Sequence, residues 1–81
     1  MENNYIIINY NNKEEYILQY NEESSNQFNK RIEFINKLNK LNINWNEALN
    51  LSKIWYCITF KKCKYKNDVY NYIKKIDNLL I

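Results

Sequence analysis

A chain of 81 residues with no glycine and no proline must build every turn from residues that carry a Cβ. Left-handed turn positions then fall to Asn and Asp, which tolerate positive φ better than other non-glycine residues. Asparagine is abundant along the whole sequence, so asparagines are the expected turn and cap residues. The lack of glycine also removes glycine-rich phosphate loops, of the P-loop and the dinucleotide type alike. Enrichment in Asn, Lys, Ile and Tyr matches the codon bias of an AT-rich genome: bacterial, phage or plasmid, protist, or large DNA virus.

The length fits one domain over residues 1–81, with a limited core. A core this small benefits from a staple or a partner. Apolar runs are short and broken by Asn or Lys, and no basic segment precedes Ile6–Ile8, so neither a membrane span nor a signal peptide is expected. The expected location is cytoplasmic, in the host cell's cytoplasm if phage-encoded.

Residues 5–20 read as a β-hairpin. Tyr5-Ile6-Ile7-Ile8-Asn9-Tyr10 has strand-forming residues, Asn11-Asn12-Lys13 supplies the turn, and Glu14 to Tyr20 returns. Ser24 or Ser25 then caps a helix over about 25–41, in which Phe28, Ile32, Ile35 and Leu38 form one face. Asn42-Ile43-Asn44 ends it. Residues 45–66 admit two readings. Ile54, Tyr56, Ile58 and Phe60 alternate as in a strand, whereas a helix from 46 to 64 would align Ala48, Leu51, Trp55 and Ile58. The strand, over about 54–60, is the preferred reading. A last helix, about 68–79, is capped by Asn67 or Asp68 and carries Val69, Tyr72, Ile73, Ile76 and Leu80 on its apolar stripe. The expected fold is therefore α+β: a three-stranded antiparallel sheet, made of the hairpin 5–20 and the strand 54–60, packed by two helices.

Chemistry is sparse. Histidine, the usual general base and metal ligand, is absent. The paired acids Glu14-Glu15 and Glu22-Glu23 read as solvated charge. No catalytic residue, cofactor or metal site is expected, and the chain is read as not being an enzyme. Cys57 and Cys63 are too few ligands for structural zinc. On an extended strand they would lie roughly 20 Å apart, which forbids a disulfide. Cys57 is expected to fill the core and Cys63 to be a free thiol. Asn50-Leu51-Ser52 matches a glycosylation sequon by chance in an Asn-rich chain.

Binding is better supported. Residues 1–50 hold seven acids and five bases (net −2), and residues 51–81 hold seven bases and two acids (net +5), giving +3 overall. Two candidate partner-binding surfaces of opposite sign follow. One is acidic: Glu14, Glu15, Glu22 and Glu23. The other is basic and tyrosine-bearing: Lys61, Lys62, Lys64, Tyr65, Lys66, Tyr70, Lys74 and Lys75. Its lysines suit phosphates and its tyrosines suit unpaired bases. Eight tyrosines and two tryptophans exceed what this core can hide, and exposed Tyr and Trp favour protein interfaces.

The first half of the chain resembles small phage-encoded anti-CRISPR proteins. The resemblance runs through Ile6-Ile7, Asn11-Asn12, Glu15-Tyr16-Ile17, Glu22-Glu23-Ser24, the helix with Phe28 and Ile35, and Trp45-Asn46. It implies an inhibitor that binds a host CRISPR effector ribonucleoprotein and blocks its nucleic-acid access or activation. Members that block DNA access are usually acidic nucleic-acid mimics, whereas this chain is basic overall. Segment 14–23 would be the mimic surface, or the basic end would meet guide RNA or an acidic patch of the effector. The alternative is a small protein of a ribonucleoprotein that binds RNA or single-stranded nucleic acid through the basic C-terminal part.

Overall fold

The fold is taken from a computed structural model in which residues 4–80 are described. Strands β1 (Tyr5–Tyr10) and β2 (Lys13–Leu18) form an antiparallel hairpin, followed by helices α1 (Ser25–Lys40), α2 (Trp45–Phe60) and α3 (Asn67–Asp77). The expected three-stranded sheet is not what forms. The sheet has two strands, and residues 54–60 lie in α2.

The hairpin follows from its turn. Tyr10 pairs with Lys13, so the loop is Asn11-Asn12 alone. Both asparagines have positive φ, 53° and 67°, as a two-residue turn matched to strand twist requires. Helix α1 begins at a capping box. The Ser24 side chain accepts from the Gln27 N–H, and the Gln27 side chain accepts from the Ser24 N–H. It ends at Asn42, whose φ of 61° supplies the left-handed residue. The Asn42 N–H donates to Asn39 O at 3.0 Å and the Ile43 N–H to Leu38 O at 3.1 Å, the paired bonds of a Schellman end.

Helix α2 overturns the strand reading for a physical reason. Asn44 caps it by accepting from the Glu47 N–H at 2.9 Å. From there Ala48, Leu51, Ser52, Trp55, Tyr56 and Ile58 are all buried, a stripe of helical period that the strand could not have covered. The alternation of Ile54, Tyr56, Ile58 and Phe60 is a coincidence of a short apolar run. With three helices available, α1 packs against both α2 and α3, and these two pack against each other.

One core joins all five elements: Tyr10 and Ile17 from the hairpin, Phe28, Phe34, Ile35 and Leu38 from α1, the α2 stripe, and Ile73 and Ile76 from α3. Phe34 stacks on Trp55 with centroids 5.2 Å apart, and Phe60 meets the edge of Trp55 at 5.5 Å. Tyr72 is exposed and not in the core as expected. It sits beside the stripe of Ile73 and Ile76. Helix α3 also starts without the expected Asn67 or Asp68 side-chain cap, its N-cap being Lys66.

A two-stranded sheet is marginal alone, so the hairpin must be tied to the helices. At its turn, Asn39 of α1 accepts from the Asn11 N–H at 3.1 Å and donates to Asn9 O at 3.3 Å. The Tyr10 hydroxyl donates to Ile43 O, and its ring lies 4.9 Å from that of Trp45. Asn42→Ala should cost about 1 kcal/mol, because a Cβ without a compensating polar group is disfavoured at positive φ. Thermal unfolding should shift down by about 4–8 °C, while Asn42→Gly should hold the wild-type midpoint.

Candidate functional site

The candidate acidic surface does not form one patch. Glu14 is exposed on the outer face of the hairpin, paired across from Asn9. Glu15 is half-buried on the inner face, the one that carries Ile17. Glu22 is exposed in the turn between β2 and α1. Glu23 is buried and belongs to the interior.

Its partner is Arg31, also buried. Arg31 Nε donates to Glu23 Oε2 at 2.8 Å and Nη2 to Glu23 Oε1 at 2.9 Å, a bidentate pair. Nη2 also donates to Leu18 O at 2.6 Å, and the guanidinium lies 4.0 Å from the Tyr20 ring centroid. Glu23 Oε1 accepts from the Tyr20 N–H at 3.1 Å. The Gln19 side chain donates to Glu23 O at 2.7 Å. This cluster fastens the open end of the hairpin, and the loop after it, to α1.

The candidate basic residues Lys61, Lys62, Lys64, Tyr65, Lys66, Tyr70 and Lys75 are exposed, and Lys74 is half-buried with its ammonium 5.7 Å from the Tyr70 ring centroid. The first five lie on the connector between α2 and α3. A disulfide, against expectation, pins this connector. Cys57 and Cys63 are bonded, with Cα atoms 5.3 Å apart. The strand reading placed them too far apart. In the structure the helix stops at Phe60, Lys62 takes φ 55°, and the Cys63 N–H returns to Cys57 O at 3.1 Å. Lysine is a poor residue for positive φ, so the disulfide and that hydrogen bond hold it there. Closing so short a loop contributes on the order of 2 kcal/mol in the chain-entropy account.

The two charged regions meet. Lys61 Nζ lies 3.1 Å from Glu22 Oε2, and this pair bridges a notch of about 260 Å³ lined by Tyr20, Glu22, Lys53, Tyr56 and Lys61. Tyr56 is buried edge-on to Tyr20, with centroids 4.9 Å apart. Burial raises the Tyr56 hydroxyl above its ordinary pKa, the Glu23 charge adds to this, and Lys61 opposes it, so the group stays protonated at neutral pH. A larger cavity of about 390 Å³ lies between α1 and the chain end, but one wall is the fully exposed Leu80. Its Lys37 is already engaged by Asp77 O.

No family model, curated protein or solved structure matches the chain. Among the described residues, no group of three or more His, Cys, Asp or Glu side chains is placed to hold a metal ion. No described helix is long and apolar enough to cross a membrane.

The feature that sequence reasoning missed is the outer face of the hairpin. Tyr5, Ile7, Tyr16 and Leu18 are 53%, 47%, 60% and 56% exposed. Tyr5 is the cross-strand partner of Leu18, and Ile7 of Tyr16, so the four form one block. The Tyr5 and Tyr16 rings stack diagonally with centroids 5.4 Å apart. The signal was present in the unbroken runs Tyr5–Ile8 and Tyr16–Leu18, since strands apolar at every position are covered on both faces.

The buried pair gives a stability test. Arg31→Met, leaving Glu23 uncompensated, should cost about 3–5 kcal/mol. That is comparable to the whole stability of a small domain, so the variant should be largely unfolded by urea titration. Glu23→Leu combined with Arg31→Met should recover much of the loss.

Proposed function

We propose that this chain is a small non-catalytic binding protein from a mobile element or virus, an inhibitor of the anti-CRISPR kind. It binds a host CRISPR effector nuclease and blocks its nucleic-acid access or its activation, in the host cytoplasm. The resemblance of the first half of the chain supports the class of target. The observation that carries binding is the block of Tyr5, Ile7, Tyr16 and Leu18, apolar yet uncovered on a two-stranded sheet. A contiguous apolar patch rich in tyrosine is the composition of an interface core. The hairpin also leaves both strand edges free of further sheet partners among the described residues, so a partner strand has somewhere to add. A cytoplasm keeps thiols reduced. The protein would work there with Cys57 and Cys63 unbridged, on the stability of its core and polar ties.

Co-purification with candidate effector nucleases tests this reading. Tyr16→Lys with Leu18→Lys should weaken the complex by about 30-fold or more, as central interface residues do. The melting temperature should stay near wild type, since both side chains already face solvent. An unchanged complex would remove the hairpin face from the interface.

A second reading, binding of RNA or single-stranded nucleic acid, is favoured by one observation: Lys61, Lys62, Lys64 and Lys66 are all exposed around the exposed Tyr65. Four lysines on phosphates predict a log–log salt slope of about −3. Lys61, Lys62 and Lys64 changed together to Glu should abolish binding in a fluorescence anisotropy titration, and a flat salt response would sink this reading.

A further inference from the structure

The notch between the hairpin–α1 loop and the end of α2 joins Lys61 to groups that neither reading uses, Tyr20, Lys53 and Tyr56. Its lining is mainly the rings of Tyr20 and Tyr56, with two lysines at the rim. At about 260 Å³ it lies just below the range of small-molecule pockets, a size that suits one side chain. Its rim already holds a carboxylate, because Glu22 lies 3.1 Å from Lys61 Nζ. That pair is solvent-exposed, at 44% for Lys61 and 73% for Glu22, so exchanging Glu22 for another carboxylate costs little. Lys53 is exposed on the same rim and makes no salt bridge among the described residues.

We propose that this notch docks an acidic segment of a partner protein, seating one apolar side chain against the flank of the edge-packed Tyr20–Tyr56 pair and a neighbouring carboxylate on Lys53 and Lys61, with Glu22 displaced. Glu22 is thus an internal competitor for the site. The ring geometry favours a peptide over a nucleic acid. One face of Tyr20 is occupied by the Arg31 guanidinium at 4.0 Å, and Tyr56 is buried against Tyr20 and Phe60. A base therefore has no free ring here on which to stack. The left-handed Lys62 and the Lys61 and Cys63 N–H groups, both donating to Cys57 O, set where the connector leaves α2 and so hold Lys61 over Tyr56, its ammonium 5.9 Å from the ring centroid. The proposal stands apart from the hairpin face, which shares no residue with the notch.

The test is fluorescence anisotropy with a short labelled peptide of Glu and Asp around a single Phe, titrated with the full chain. Saturable binding is expected. Lys53→Gln with Lys61→Gln should weaken it about tenfold or more, as loss of paired charges does. Glu22→Gln should tighten it about two- to fivefold by removing the competitor. Replacing the peptide's Phe by Ser should weaken it, and Tyr16→Lys with Leu18→Lys on the protein should leave it unchanged. All substituted positions are exposed, and a thermal melt confirms folding. Glu22→Gln is the deciding variant, because a nonspecific lysine patch would not distinguish it from other surface acids such as Glu14→Gln. Equal effects of those two variants, absence of saturable binding, or a preference for oligothymidylate over the peptide would each overturn the proposal.

Discussion

The buried pair of Arg31 and Glu23 is the contact on which the arrangement of the protein turns. A two-stranded hairpin cannot bury enough surface to hold itself in place. Here the inner face of the hairpin contributes Tyr10 and Ile17 to the core, and the strand end is fastened through Arg31 to Leu18 O, Glu23 and the Tyr20 ring. A buried ion pair is a weak source of net stability against an apolar replacement, because both charges lose their water. Its use is directional. The fork of Arg31 fits only one placement of Glu23 and Leu18 O, and so sets how the hairpin meets α1. Asn39 performs the neutral version of this task at the opposite end, bonding to Asn9 O and the Asn11 N–H where β1 enters the turn.

Local chemistry made part of this legible from residues alone. The hairpin turn at Asn11-Asn12, the Ser24 cap, α1 and the end at Asn42 follow from rules acting over a few residues. In a chain without glycine those rules concentrate on Asn. Helix α2 did not follow, because Ile54 to Phe60 is apolar enough to satisfy a period of two or of 3.6 residues. What decides is the longer window: a cap at Asn44 and a buried stripe from Ala48 to Ile58, which a strand confined to 54–60 would leave half outside the core. An extended segment 54–60 sets the cysteines too far apart to bond and hides the reversal at Lys62 that joins them.

Charge was the least legible property. Sequence proximity put Glu22 and Glu23 on one surface, yet one is in water and the other in the interior. Burial of Glu23 depends on Arg31, eight residues on, and no local rule signals that pairing. The division into an acidic first part and a basic last part also fails in space, since Glu22 and Lys61 touch. The net charges of the two parts therefore do not describe two poles of the molecule.

What remains on the surface is better explained by the way this small core spends its apolar residues than by charge. Helices α2 and α3 packed on α1 suffice to bury the aromatic cluster of Phe34, Trp55 and Phe60 and the aliphatic residues of α1 and α3. They cover one face of the hairpin and cannot reach the other. A third strand would not have changed this, because it would extend the sheet sideways and leave the same face open. Only a second layer covers Tyr5, Ile7, Tyr16 and Leu18, and the described chain has no further element to provide it. Folding thus accounts for Ile6, Ile17 and Tyr10, whereas the apolar character of the alternate positions has no covering role to serve among the described residues. A strand that needed only one covered face would alternate with polar residues, as solvated antiparallel sheets do. The departure from alternation is the physical ground for placing a partner on that face.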